Sequence, residues 1–273
     1  MHMETWYFVD SGHCTPAINM ALDEALMNWH REGSIPPVLR FYGWEPAGLS
    51  VGYFQKVKGK IDLDGVQKHG YQLVRRQTGG RAVLHDHELT YSVIVSEKHE
   101  DMPDSVKEAY LVISKGLLEG FRNLNIDADF AVPEGKLDVN GSAVCFEEPS
   151  WYELIVNGKK AAGSAQTRKR GIILQHGSIP IEVDDGKLFD MFVYKNERIK
   201  ERARKAFGSK AVAINEILEE PVSFEETKHA FKQGFEKGLN VHLEPFHLSE
   251  EQWDEVRKIA RERYETDEWN YAR

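Results

Sequence analysis

Cysteine is scarce: the chain carries two, Cys14 and Cys145, far apart in sequence. That excludes a disulfide framework and a structural zinc site, which need several closely spaced cysteines. Long apolar runs are missing as well; none approaches the roughly 18 residues a membrane-spanning helix requires. The opening "MHMETWYFVDSGH" has neither the basic start nor the apolar stretch of a secretory signal. No unit of roughly 20–50 residues repeats, which argues against solenoids and propellers. Positive charge is in deficit: 44 acidic against 35 basic residues leave a net charge of −9. A general nucleic-acid binder needs a basic footprint that this balance does not supply. These absences together predict a cytoplasmic protein with no nucleic-acid or membrane partner.

What remains is 273 residues with 41% hydrophobic content, enough for a substantial core. "TPAINMALDEALMNWHREG" predicts a helix: Thr15 can cap it, Pro16 suits its first turn, and a glycine follows. Ile18, Ala21, Leu22, Ala25 and Leu26 share one face of it. "SVKEAYLVISKGLLEGFRNL" repeats the pattern, with Val106, Ala109, Tyr110, Ile113, Leu117 and Phe121 at helical spacing. "ETWYFVDSG", "PVLRFYGW" and "GLSVGYFQ" read as strands, and "YQLVRRQT" with "LTYSVIVSE" as a strand pair around a Gly-Gly turn. Asn157-Gly158 between alternating apolar runs is a hairpin signal. The last third reads as mostly helical. The expected class is α+β: mixed, largely antiparallel sheets flanked by helices. No Pro/Gly/Ser-rich linker divides the chain, so residues 1–273 read as one domain, its core over about 33–248, with C-terminal helices packed on it.

Two stretches could carry chemistry. In "RRQTGGRAVLHDHE", Gly79 and Gly80 allow a ligand to approach the backbone closely. Arg75, Arg76 and Arg81 bracket that turn and His85 follows it. The stretch lacks the Gly-Lys-Ser/Thr of a phosphate loop and the G-x-G-x-x-G of a dinucleotide site. Alone, a Gly-Gly pair is ordinarily just a turn; three arginines and a histidine nearby make it a candidate ligand cradle. If this is a strand, His85 and His87 share a face at chelating separation, but no third ligand is evident and no metal is expected.

The second stretch is "GSAVCFEEPSWYELIVNGKKAAG". A free cysteine is ordinarily a small buried hydrophobe. A nucleophilic one needs a nearby cation, histidine or helix N-terminus to hold its thiolate. Glu147 and Glu148 work against Cys145 in that role; Lys159 and Lys160 work for it. Adjacent strand residues point to opposite faces, so only one of the lysines can face a site. Cys14, just before the first helix, is the competing cysteine and has no partner motif. Basic residues also crowd "TRKRG" (167–171) and "KNERIKERARKAFGSK" (195–210). Either stretch is a solvated face or a docking patch for an acidic partner.

"RRQTGGRAVLHD" followed by "NGKKAAGSAQ" resembles the lipoate–protein ligase, octanoyltransferase and biotin ligase superfamily, over essentially the whole chain. The resemblance implies a biotin/lipoate ligase-like catalytic domain without a separate accessory domain. Ligases of the superfamily usually carry Arg-Asn-Asp where this chain reads "WYEL". The loop cysteine and the "KAAGSA" hairpin look instead like the LipM-type octanoyltransferases. The resemblance implies Cys145 as nucleophile and acyl-thioester carrier. It implies Lys160, not Lys159, as the cation that lowers the thiol pKa and stabilises the oxyanion. Arg76, Gly79, Gly80, His85, Gly163, Ser164 and Ala165 would shape the acyl pocket. The implied donor is octanoyl–acyl carrier protein, and the acceptor a lysine of a lipoyl-domain protein such as glycine cleavage protein H. No cofactor is implied, because thioester to amide is downhill. The alternatives are an amidotransferase between lipoyl-domain proteins, an ATP-dependent lipoate–protein ligase, and a non-catalytic acyl-binding module.

Overall fold

Almost every helix starts where a short polar side chain can satisfy backbone donors. Thr15 accepts from the Ile18 amide, Ser105 from Glu108 and Ser223 from Glu226, the last as a reciprocal capping box. The structure is a computed structural model that describes residues 3–131 and 153–273. Its first half runs β1 (Glu4–Cys14), α1 (Pro16–Arg31), β2 (Val38–Trp44), β3 (Gly48–Val51), α2 (Leu63–Lys68), β4 (Gln72–Arg75), β5 (Val83–His85), β6 (Glu88–Ser96), α3 (Val106–Asn123) and β7 (Asp129–Phe130). The second half runs β8 (Leu154–Val156), β9 (Lys159–Lys169), β10 (Ile172–Pro180), α4 (Asp185–Asp190), α5 (Glu197–Gly208), α6 (Ile214–Ile217), α7 (Phe224–Leu239), β11 (Val241–Pro245), α8 (Glu250–Ile259) and α9 (Asp267–Asn270). A π-helical turn, Ala260–Tyr264, extends α8.

Eight strands form one sheet in the order β11-β1-β2-β6-β10-β9-β8-β7, and three form a second in the order β4-β3-β5. One face of the large sheet packs on α3 and α7 through Ile113, Leu117, Phe121, Phe231 and Phe235. Those two helices approach backbone to backbone: a Cβ on Gly234 would fall 2.6 Å from Gly120 Cα. The other face packs on α1 and α8 through Leu22, Ala25, Leu26 and Val256. The small sheet has its own apolar layer, with Leu49, Val51, Phe189 and Phe207. The α+β class is therefore as expected, although β1 pairs in parallel with both β2 and β11.

Several local expectations need correcting. "YQLVRRQT" and "LTYSVIVSE" do not pair. β4 runs parallel to β3 in the small sheet, whereas β6 lies between β2 and β10 in the large one. The Gly-Gly turn thus links β4 to β5, on either side of β3 in the small sheet, instead of closing a hairpin. β11 is a strand within the stretch read as mostly helical; it completes the sheet edge beside β1. Val106 is 53% exposed because it sits at the first turn of α3, outside the buried stripe. The Asn157-Gly158 hairpin does form, with φ of 51° and 75° at the two turn residues, as a two-residue turn of that handedness requires.

Candidate active site

A narrow cleft of about 50 Å³ opens where the small sheet meets the large one. β2 contributes Tyr42 and Trp44, β3 Ser50, β5 Val83 and His85, β9 Gly163–Ala165 and β10 His176–Ser178. Met20 of α1, Arg76 and Gly80 complete the wall. Gly177, in that wall, is packed closely on its neighbours. A Cβ there would lie 2.6 Å from Ser164 Oγ and 2.8 Å from Tyr91 Cε1. Of the residues expected to shape an acyl pocket, Arg76, Gly80, His85, Gly163, Ser164 and Ala165 line this cleft. Gly79 is in the adjoining loop.

Two carboxylate–imidazole–hydroxyl chains support the wall and converge on Arg76. In the first, Glu88 lies 2.7 Å from His85 Nδ1, and Ser50 Oγ lies 2.8 Å from His85 Nε2. Arg76 donates to Ser50 Oγ at 3.0 Å, and the Glu88 carboxylate, an acceptor, takes the proton of His85 Nδ1. Glu88 also accepts from Thr90 and Ser178. The Trp44 ring stacks on His85 with centroids 4.0 Å apart and donates from its indole nitrogen to Thr90. In the second chain, His176 Nδ1 lies 3.3 Å from Asp23, and Thr78 Oγ1 lies 2.6 Å from His176 Nε2. Arg76 Nε donates to Thr78 Oγ1 at 3.2 Å.

Arg76 then spans the loop by donating to the carbonyls of Gly79 and Arg81, both at 2.8 Å. These bonds make Arg76 a clamp on the loop. Arg75 is likewise turned inward, onto the carbonyls of Gly52, Gln55 and Asn270. Asp23 is held by Arg40, whose guanidinium donates to it at 2.7 Å with both groups buried. Burial alone would raise the Asp23 carboxyl, but Arg40, His176 and Ser92 bring it below its ordinary value. Burial lowers the His176 imidazole, against the pull of Asp23 and with help from Arg76 and His85, so it is neutral at neutral pH.

His85 and His87 do not share a face. His85 is buried in the chain just described, whereas the His87 side chain is 62% exposed beside Asp86, in the turn after β5. Among the described residues no cluster of three or more His, Cys, Asp or Glu could hold a metal ion. Cys14 is not activated by the helix it precedes. Burial pushes its thiol up, outweighing Arg40, and it donates to the Ser11 carbonyl.

Lys160 is 1% exposed and Lys159 is turned to the other side, donating to the Gly208 carbonyl at 2.9 Å. The main chain of Lys160 is fixed on both sides, its amide to Lys210 O and its carbonyl to Val212 N. The β8–β9 pairing passes from Ile155↔Lys160 to Leu154↔Ala162, so Ala161 is an extra residue beside the lysine. Such bulges commonly re-aim a side chain next to a site. Its ammonium lies 2.7 Å from Glu153, which is also buried. Cys145, Glu147 and Glu148 lie outside the described residues.

Sequence reasoning missed Asp23, Arg40, His176 and Glu153. An acid between Leu22 and Ala25 on an apolar helix face, and an arginine inside the strand "VLRFYGW", are the signals that pointed to a buried pair.

Solved structures share this architecture. A bipartite lipoate protein ligase of Thermoplasma acidophilum superposes with a TM-score of 0.78 at 25% identity, covering 99% of this chain and 97% of that one. Lipoate-protein ligase A bound with ATP gives 0.76 at 24% identity, with 99% of each chain covered. Fold and cleft therefore define a lipoate-ligase-type catalytic domain. The model of the lipoyl protein ligase A/B catalytic domain matches residues 15–236. The octanoyltransferase LipM of Halalkalibacterium halodurans is 60% identical over 99% of this chain and 100% of its own length. That of Bacillus subtilis is 58% identical over the whole of both. The chain belongs to the lipoyl protein ligase A/B catalytic-domain family, and within it to the LipM octanoyltransferases.

Proposed function

We propose that this chain, a single catalytic domain acting in the cytoplasm, moves an octanoyl group from octanoyl–acyl carrier protein to a lysine of a lipoyl-domain protein. Glycine cleavage protein H is a fitting acceptor. The observation that carries the reading is the narrow cleft along Gly163–Ala165, with the buried, bulge-aimed Lys160 further back on the same strand. An octanoyl tail at about 0.8 kcal/mol per buried CH₂ gains several kcal/mol from such a slot.

In the first step the Cys145 thiolate attacks the donor's thioester carbonyl. A new C–S bond forms, the bond to the pantetheine sulfur breaks, and the carrier thiolate takes a proton from solvent. In the second, a neutral lysine amine attacks the acyl-enzyme. The C–N bond forms, the C–S bond to Cys145 breaks, and the amine's proton passes to the thiolate. Lys160 stabilises the thiolate and the oxyanion of both tetrahedral intermediates. The two imidazole chains hold the loop of Thr78–Gly80 against the tail, which is binding and not proton transfer. The exposed Arg202 and Lys205 of α5 are docking cations for an acidic carrier.

Transfer from octanoyl–acyl carrier protein to apo protein H, without nucleotide, tests the reading. Transfer that needs ATP and free octanoate supports a ligase instead. Exchange only between lipoyl-domain proteins supports an amidotransferase, and binding without turnover a non-catalytic module.

A further inference from the structure

Glu153 has no part in the chemistry described so far, yet its carboxylate is 4% exposed and bonded to the 1%-exposed Lys160. Removing two such charges from water costs several kcal/mol per ion, and apolar residues of similar volume fill a core as well or better. A buried pair of this kind is therefore weak evidence of a device for stability alone. Both partners are built in from the backbone. The Glu153 carbonyl accepts from Ala131 N at 2.8 Å, and the main chain of Lys160 is bonded to Lys210 and Val212. The carboxylate also lies near Tyr91, which backs the cleft wall through Ser164. Its charge helps raise the Tyr91 hydroxyl, which burial chiefly pushes up to about 12, and that hydroxyl lies 2.7 Å from Ser164 Oγ in the cleft wall.

We propose that Glu153 is the positioning residue for Lys160: its carboxylate keeps the buried amine an ammonium and aims it for acyl transfer. Losing this carboxylate leaves the desolvation of the ammonium less compensated and shifts it toward the neutral amine, which can hold neither a thiolate nor an oxyanion. The carboxylate acts through Lys160 and touches no substrate, so its effect falls on turnover and not on donor affinity. This inference rests on the role of Lys160 in the function proposed above.

The test compares Glu153→Gln, which keeps shape and an acceptor oxygen, with Glu153→Asp, which keeps the charge. Transfer from octanoyl–acyl carrier protein is followed, and the ¹⁵N signal of the Lys160 side chain is recorded at pH 7. Glu153→Gln is expected to lose about 10- to 100-fold in kcat with KM within about twofold, and to show a neutral amine signal. Glu153→Asp should recover at least a third of the loss on a logarithmic scale and show an ammonium. The double variant Glu153→Gln/Lys160→Met should melt near wild type, because both charges are gone, and be inactive. A folded Glu153→Gln with wild-type kcat, or one that still shows an ammonium, overturns the proposal. So does an Asp variant no more active than the Gln variant. If the wild type transfers no octanoyl group from the thioester, the functional reading fails by itself, and the amine signal still decides whether Glu153 sets the charge of Lys160.

Discussion

Replacing Gly52 by alanine puts the coupling between the small sheet and the acyl loop to a direct test. Gly52 follows β3, and a Cβ there would fall 2.9 Å from the Gly80 carbonyl carbon and 3.1 Å from that of Gly79, and nearer still to Gly80 O. Carbon atoms in good contact sit about 3.5–4.0 Å apart, so one backbone must retreat by close to 1 Å. Gly52 itself has little freedom. Arg75 donates to its carbonyl at 2.7 Å, and its own amide donates to Gln55 Oε1 at 3.2 Å. The loop must therefore move, against the grip of Arg76 on Gly79 and Arg81. Overpacking of this kind costs about 1–3 kcal/mol of stability, a loss of several degrees in Tm for a chain of this size. A shift near 1 Å in a wall that positions the acyl group costs up to about 100-fold in rate. Gly52→Ala should thus lower kcat/KM for an octanoyl thioester by about 10- to 100-fold while melting only several degrees early. Thermal melting alongside steady-state transfer measures both. Wild-type kcat/KM in the variant would show that the loop does not hold the acyl chain.

Arg40→Met strips Asp23 of its buried partner and should cost about 3–5 kcal/mol, read as a lower denaturant midpoint; a change under 1 kcal/mol would mean that Asp23 is neutral in the fold. His176 gives a pH signature. Its folded pKa lies below the ordinary value near 6.5, so the unfolded chain binds that proton first, and stability falls as pH drops below about 6.5. The slope reaches at most about 1.4 kcal/mol per pH unit for one proton, and His176→Asn should flatten the denaturant-midpoint profile by that share; an unchanged slope refutes a neutral, buried imidazole. Charge reversal at Arg202 and Lys205 should slow turnover of an acidic carrier in low salt and lose its effect in high salt; equal rates in low salt would remove the docking role of α5.

How much of this was legible in the sequence follows from how local each feature is. The α1 cap, the Asn157-Gly158 turn and the opposite facing of Lys159 and Lys160 depend on neighbours in the chain, and each was readable. The Gly79-Gly80 turn misled because two apolar runs around a glycine pair look like a hairpin, while sheet membership is settled by distant partners. β4 joins β3 and β6 joins β2 and β10. The second imidazole chain was invisible for the same reason. Asp23 meets His176 across 153 positions, and Thr78 meets it across 98. His85 and His87 looked like a chelating pair only so long as β5 was taken to continue through both. Glu153 stood in plain view in "WYEL", and only the bulge at Ala161 brings Lys160 onto it.

Intact-mass spectrometry after mixing the protein with octanoyl–acyl carrier protein tests the acyl-enzyme most directly. One octanoyl adduct on Cys145 is predicted, absent in Cys145→Ser and diminished in Lys160→Ala but not in Lys159→Ala. Full transfer activity in Cys145→Ala, or an adduct that forms only with ATP and free octanoate, would contradict it.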